Sequence, residues 1–296
     1  MRRLMERLRS GEVLLVDGAL GTMLIARGLA PGRCPESINL ERPQWLVEIA
    51  RAYREAGADV LTANTFGGSP LSLERYGLAE DTEAIQRAAI RATREAAGDE
   101  AFIAVSCGPS GRLMKPYGDT EPDEVSDSFR RQLRAIAAAG VDLIAIETMT
   151  DLDEAVLAVQ AAREVASGVP ISATLTFEDT PRGFFTIMGH DIEQAAARLA
   201  EAGADIIGSN CGQGIETMLR ITAGFQEHSS LPLIVQPNAG LPQTRASEVI
   251  YPESPEFMAQ RLPALLDAGA SIIGGCCGTT PAHTAAFRRV LDDHIR

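Results

Sequence analysis

The apolar positions along this chain fall into short, nearly unbroken runs, separated by longer segments with helical spacing. The runs are VLLVD (13–17), DVLTA (59–63), FIAVS (102–106), DLIAIE (142–147), ISATLT (171–176), DIIGSN (205–210), LIVQ (233–236) and SIIGG (271–275). None shows strict polar alternation, the mark of strands buried on both faces in a parallel sheet covered by helices. Between them, the segment 43–56 starts with a proline in its first turn and sets Trp45, Ile49 and Tyr53 on one face. Segment 122–139 aligns Val125, Phe129, Leu133 and Ile136, and segment 191–202 aligns Ile192, Ala195, Ala196, Leu199 and Ala200. Further helices are predicted over 81–97, 151–167, 214–228, 254–268 and 281–294.

A repeat underlies this pattern. REAGADVLTANT (54–65), AAAGVDLIAIET (137–148), AEAGADIIGSNC (200–211) and DAGASIIGGCC (267–277) share one grammar. Each closes a helix in Ala-Gly, passes a small or acidic residue and enters an apolar strand. Gly57, Gly140, Gly203 and Gly269 sit where a helix needs a left-handed cap. Eight strand–helix units in 296 residues predict an α/β fold, a single (β/α)8 TIM barrel spanning 1–296. An open doubly wound sheet is the alternative, but no GxGxxG follows the first strand. The longest irregular stretches are expected at 18–42 and 107–121, both after strands and so at the catalytic face. Residues 1–9 are expected to form a short helix closing the barrel bottom, with Leu4, Met5 and Leu8 inward.

Charge narrows the function classes. With 27 basic and 40 acidic residues the net charge is −13, which disfavours nucleic acid and anionic membranes as partners. MRRLMERLRS at the start carries no apolar run behind it, so it is no secretory signal. No run approaches the roughly 18 apolar residues of a membrane helix. The expected compartment is the cytoplasm. The five cysteines, Cys34, Cys107, Cys211, Cys276 and Cys277, are odd in number and include an adjacent pair. That is no disulfide framework, and in a reducing compartment it points to buried, metal-bound or catalytic thiols.

The strand ends carry the chemistry. Asp17-Gly18, Asn64-Thr65-Phe66, Cys107-Gly108-Pro109, Glu147-Thr148, Asn210-Cys211-Gly212, Pro237-Asn238-Ala239-Gly240 and the Gly274–Gly278 segment gather at one predicted rim. Cys211 and the Cys276-Cys277 pair follow strands separated by a single strand. Adjacent residues on a regular strand point to opposite sides, so both can face one centre only if the backbone bends, which Gly274, Gly275 and Gly278 permit. Three thiolates match a zinc site with one position left for substrate. Such a site is a poor Lewis acid for hydrolysis, whereas a fourth, substrate thiol would be deprotonated there yet stay electron-rich. Alkyl transfer to a thiol is the expected chemistry. The H-x-E…P-C-x-x-C signature of zinc deaminases is absent. Lys115, the only lysine, lies in a loop rather than on a strand, which disfavours a Schiff-base aldolase. Cys34 and Cys107 are expected to be non-ligands, Cys107 as a buried thiol, and His283 to have a surface or capping role.

At these residues the chain resembles the zinc-dependent homocysteine S-methyltransferase family. The resemblance runs through DGALGTML (17–24), ANTFGG (63–68), IETMTD (146–151), GSNCGQG (208–214), QPNAGLP (236–242) and GGCCGTTPAH (274–283). It implies zinc on Cys211, Cys276 and Cys277, with Asn238 as an oxygen ligand before the thiol arrives. It further implies that Asp17 and Glu147 hold the substrate ammonium, with Gly18, Asn64 and Thr65 at the bound amino acid. QPNAGLP and CGPSGRL (107–113) look most like the homocysteine module of cobalamin-dependent methionine synthase. A chain of one barrel, without a D-x-H-x-x-G cobalamin signature, is expected to take its methyl group from outside, as methylcobalamin or from a separate corrinoid protein. A small donor (S-methylmethionine, S-adenosylmethionine or betaine) and a non-catalytic zinc or thiol-binding subunit are the alternatives. Low aromatic content argues mildly against a cation–π cage for a cationic donor.

Overall fold

The computed structural model describes residues 3–245 and 248–294. Its main strands are β1 (Leu14–Leu15), β2 (Val60–Ala63), β3 (Phe102–Cys107), β4 (Leu143–Met149), β5 (Ile171–Leu175), β6 (Ile206–Asn210), β7 (Leu233–Gln236) and β8 (Ala270–Ile273). They pair in parallel in chain order, and β8 returns to β1 with Leu14 opposite Ile272. The ring closes where Val16 bridges Val60 and the Asp17 N–H donates to the Val60 carbonyl. That closure realises the expected TIM barrel and excludes the open sheet.

Strand residues alternate between two cores. Leu14, Val16, Val60, Phe102, Ala104, Leu143, Ile206, Ile234 and Ile272 fill the barrel interior. Their neighbours Leu15, Leu61, Ile103, Ile144, Ile207, Val235 and Ile273 face outward against the helices. The continuous apolar runs thus reflect two buried faces. The N-terminal helix (Leu4–Arg9) inserts Leu4 and Leu8 into the interior cluster, with Met5 packed beside them, and plugs one end. The first two residues of the expected 1–9 helix lie outside the described residues.

The acidic member of the repeat is a strand clamp. The carboxylates of Asp59, Asp142 and Asp205 each accept the N–H of a residue on the preceding barrel strand: Leu15, Ile103 and Ile171. The four capping glycines all have positive φ, between 69° and 102°.

Seven helices end within two residues of their expected bounds: Pro43–Glu55, Thr82–Ala97, Pro122–Ala137, Leu152–Val165, Ile192–Ala202, Ile215–His228 and Pro281–His294. The helix expected over 254–268 is instead two, Pro255–Ala259 and Leu262–Asp267. Pro263 has no N–H for the Ala259 carbonyl, and its ring would collide there, so the first helix stops at Ala259. The stretch 18–42 is not irregular throughout; it holds helices Leu20–Ala26 and Ile38–Glu41. Two small hairpins, Glu178–Thr180 with Gly183–Phe185 and Gln243–Arg245 with Glu248–Ile250, were also not expected. Their strands are three residues long, too short for a periodicity to register. Among the described residues no helix is long and apolar enough to cross a membrane.

Candidate active site

The inward register that fills the barrel bottom with apolar side chains turns polar on its way up. Two or four residues beyond Val60, Ala104, Leu143, Ile206, Ile234 and Ile272 stand Thr62, Ser106, Glu147, Asn210, Gln236 and Cys276. All but Asn210 line a cavity of about 260 Å³ at the C-terminal mouth, together with Asp17, Gly18, Asn64, Thr65, Cys211 and Cys277. The predicted site residues therefore converge, Asn238 alone not being among the lining residues.

The sulfurs of Cys211, Cys276 and Cys277 all lie within 4.8 Å of one another, with Cys211 and Cys277 at 3.9 Å. A tetrahedral zinc with bonds of about 2.3 Å needs sulfurs roughly 3.8 Å apart, so the donor set fits the ion. The bend that the adjacent pair required is a turn over Cys276–Thr279. The Thr279 N–H and hydroxyl both donate to the Cys276 carbonyl. Gly278 sits at φ 83° with the Tyr251 ring where a Cβ would be. Cys211 is itself left-handed, at φ 61°. Within the cluster, hydrogen bonds from the other two thiols favour the thiolate of Cys277, while the hydrogen bonds of Cys276 with Cys211 and Cys277, and then burial, push Cys276 up. The buried Asn238 Oδ1 has no hydrogen-bond partner, an orphaned acceptor of the kind a cation would satisfy.

Two carboxyls stand at the same cavity. Asp17 is buried, with both oxygens held by Thr62, and Glu147 accepts the Ser106 hydroxyl. Burial is the main cause that pushes each up to about 7, and for Asp17 the proximity of Glu147 adds to it. A cation between them would remove that penalty.

Asn64 and Thr65 border the cavity, with the Asn64 amide nitrogen and the Thr65 hydroxyl committed to the protein. Asn64 Nδ2 donates to the Pro35 carbonyl and Asn39 Oδ1, and Thr65 Oγ1 donates to the Ser106 carbonyl while accepting the Ser106 N–H. Cys34 donates to Glu36 at 3.3 Å and Cys107 to Gln132 at 3.2 Å; burial pushes both thiols up, and neither joins the metal cluster. His283 is buried rather than on the surface, and it caps. Its Nδ1 accepts the Thr280 N–H and its Nε2 donates to the Glu253 carbonyl. Thr62 and Ser106 escaped the sequence reading, which placed Asn210 at the rim without a role. Their signal was a polar residue at an inward position of an otherwise apolar strand.

The sequence model described as Homocysteine S-methyltransferase matches residues 14–291. Methionine synthase of Mycobacterium tuberculosis is 33% identical over 293 residues, covering 93% of this chain and 24% of that protein. Methionine synthase of Mycobacterium leprae is 33% identical over 307 residues, covering 96% of this chain and 25% of its own length. The chain thus spans about a quarter of these relatives. The metallated form of the homocysteine methyltransferase MmuM from Escherichia coli superposes with a TM-score of 0.80 at 24% identity, over 97% of this chain and 99% of that one. The carboxyl transferase domain of Rhizobium etli pyruvate carboxylase gives 0.54 at 17% identity, over 97% of this chain and 48% of that one. At these identities the two structures speak for the barrel alone, which hosts many chemistries.

Proposed function

The chain belongs to the homocysteine S-methyltransferase family, and from that premise we propose that it transfers a methyl group to the thiol of homocysteine, giving methionine. The observation that carries this reading is one cavity with three clustered thiols and two carboxyls, buried Asp17 and half-buried Glu147, on its walls. Homocysteine carries a thiol and an ammonium group, which are the complements of those two sets. The name methionine synthase, borne by the mycobacterial relatives, supports methionine as the product.

Asp17 and Glu147 would receive the ammonium. The Thr62 and Ser106 donors hold the two carboxyls in place, and the arriving cation completes the charge balance that burial alone leaves unfavourable. With the amino acid anchored there, its side chain reaches toward the cysteine cluster, so the nucleophile is oriented before the donor arrives. Cys211, Cys276 and Cys277 would hold zinc, with Asn238 Oδ1 as a further oxygen ligand in the absence of substrate. Zinc, when bound, would lower the pKa of the incoming thiol and keep its sulfur nucleophilic. A separate general base is unnecessary for this chemistry.

The proposed donor is methylcobalamin, free or on a corrinoid protein, on the strength of the QPNAGLP and CGPSGRL segments. The free thiols suit the reducing cytoplasm as the compartment. The test is a donor panel with homocysteine: methylcobalamin, S-methylmethionine, S-adenosylmethionine and betaine, scored for methionine. Methionine from methylcobalamin alone supports the full reading. Methionine from a small donor keeps the activity and replaces the donor, and zinc content without turnover from any of them overturns the enzyme.

A further inference from the structure

Among the described residues, the non-glycine residues with positive φ are Thr148, at 59°, and Cys211, at 61°. A β-branched side chain in the left-handed region is strained, and such strain persists only where the surroundings over-determine it. Both residues adjoin the site: Thr148 follows Glu147, and Cys211 belongs to the thiol cluster. One side chain lies between them. Asn210, fully buried at the end of β6, precedes Cys211 in the chain and reaches across β5 to Thr148.

The contacts of this amide are mutually consistent. Its Oδ1 accepts the Thr148 N–H and the Thr174 hydroxyl, each at 2.7 Å. Its Nδ2 donates to Thr148 Oγ1 at 2.7 Å and approaches Cys276 Sγ at 3.9 Å. The Thr148 N–H can only donate, so the atom facing it must be the oxygen. The nitrogen is thereby turned toward the thiol. The Asn210 backbone is held too, with the Thr176 hydroxyl on its carbonyl. The β4–β5 register shifts between Ile146 and Met149, so Glu147 and Thr148 fall in an irregularity of that ladder. Irregularities of this kind re-aim side chains next to active sites.

We propose that Asn210 is a positioning residue that couples amino-acid recognition to the metal thiolates. Through Thr148 it sets the backbone that aims Glu147 into the cavity. Through its remaining N–H it places a hydrogen bond on the Cys276 sulfur, drawing charge from that ligand. The inference rests on the zinc–homocysteine reading above.

The test uses Asn210→Asp, which keeps the acceptor for Thr148 and Thr174 but loses both N–H donors. Cobalt(II) replaces zinc as an optical reporter, and homocysteine binding is measured by calorimetry on the cobalt-loaded protein. Wild type should show thiolate-to-cobalt absorption and bind homocysteine; failure of either refutes the underlying reading, not the role of Asn210. In the variant, the charge-transfer band should move to longer wavelength, because the sulfur lone pairs lose a hydrogen bond. Homocysteine affinity should fall about tenfold or more, as outer partners of metal ligands commonly show. Thr148→Gly, which relieves the strain and removes only the Oγ1 acceptor, should weaken homocysteine binding and leave the band in place. If Asn210→Asp proves too unstable to load, Asn210→Gln, which keeps the donor but displaces it, should give both shifts. A loaded Asn210 variant with either readout unchanged, whatever its melting temperature, overturns the proposal.

Discussion

Thr62 grips both oxygens of Asp17: its N–H donates to Oδ2 at 2.7 Å and its hydroxyl to Oδ1 at 2.8 Å. These bonds favour the carboxylate, and burial opposes them strongly enough to leave Asp17 at about 7. The pair makes the proposed amino-acid end of the cavity sensitive to small changes.

Thr62→Val removes the hydroxyl donor and preserves the shape. A hydrogen bond to a charged group contributes about 1.5–3 kcal/mol, so the KM for homocysteine should rise roughly tenfold to a hundredfold. Because anchoring of the ammonium is shared by ground and transition states, kcat should change little. Steady-state kinetics decide it, and an unchanged KM would remove Asp17 from the substrate site.

The two raised carboxyls give a pH dependence with a definite sign. Asp17 and Glu147 both lie near 7 in the free protein, and ammonium binding needs them ionised. Homocysteine affinity should therefore weaken as pH falls through 7, with protons released on binding below that value; calorimetry in buffers of different ionisation enthalpy measures the release. Stability runs the other way. An acid raised on folding makes the native state bind more protons than the unfolded one, so its stabilising contribution is complete below about pH 4 and lost as pH rises through 7. Asp17→Asn should flatten both profiles.

Cys276→Ala should abolish zinc binding and methyl transfer together, because two remaining thiols cannot hold the ion in a closed set. Cys107→Ser should keep full zinc stoichiometry, since that thiol is bonded to Gln132 and lies outside the cluster. Metal analysis of the purified variants reads both. Full activity in metal-free protein would sink the mechanism.

Asp205→Ala tests the strand clamp. It leaves the Ile171 N–H without its acceptor and removes the carboxylate partner of Arg163. The cost should be about 1–3 kcal/mol, seen as a lower midpoint in urea with an unchanged slope. Ser271, which takes the acidic position in the fourth repeat, should tolerate alanine with a smaller loss.

The barrel was legible because its cause is local. Four copies of a capped helix running into an apolar strand encode the strand–helix unit, and the unit count encodes closure. The helix over 254–268 was misread because apolar spacing persists across Pro263, while the backbone cannot. The stretch 18–42 hid two short helices that depend on packing rather than on an amphipathic period long enough to read.

The site divides in the same way. Cys211, Cys276 and Cys277 were legible as a cluster from residue type at strand ends, since thiols there are scarce and chemically specific, whereas Asp17 and Glu147 were singled out through the family resemblance. Sequence alone could not show that Cys276 and Cys277 share one face through a turn over Gly278, nor that the Asn64 amide nitrogen and the Thr65 hydroxyl are spent on neighbouring protein groups. Nor could it show that Asn210 reaches across a strand to hold Thr148 in a left-handed conformation. Secondary structure and chemical capacity follow from contacts within a few residues, which a linear pattern records. Aim, desolvation and coupling come from residues more than 40 positions apart, such as Thr62 with Asp17 or Asn210 with Thr148, and only the closed barrel brings those together.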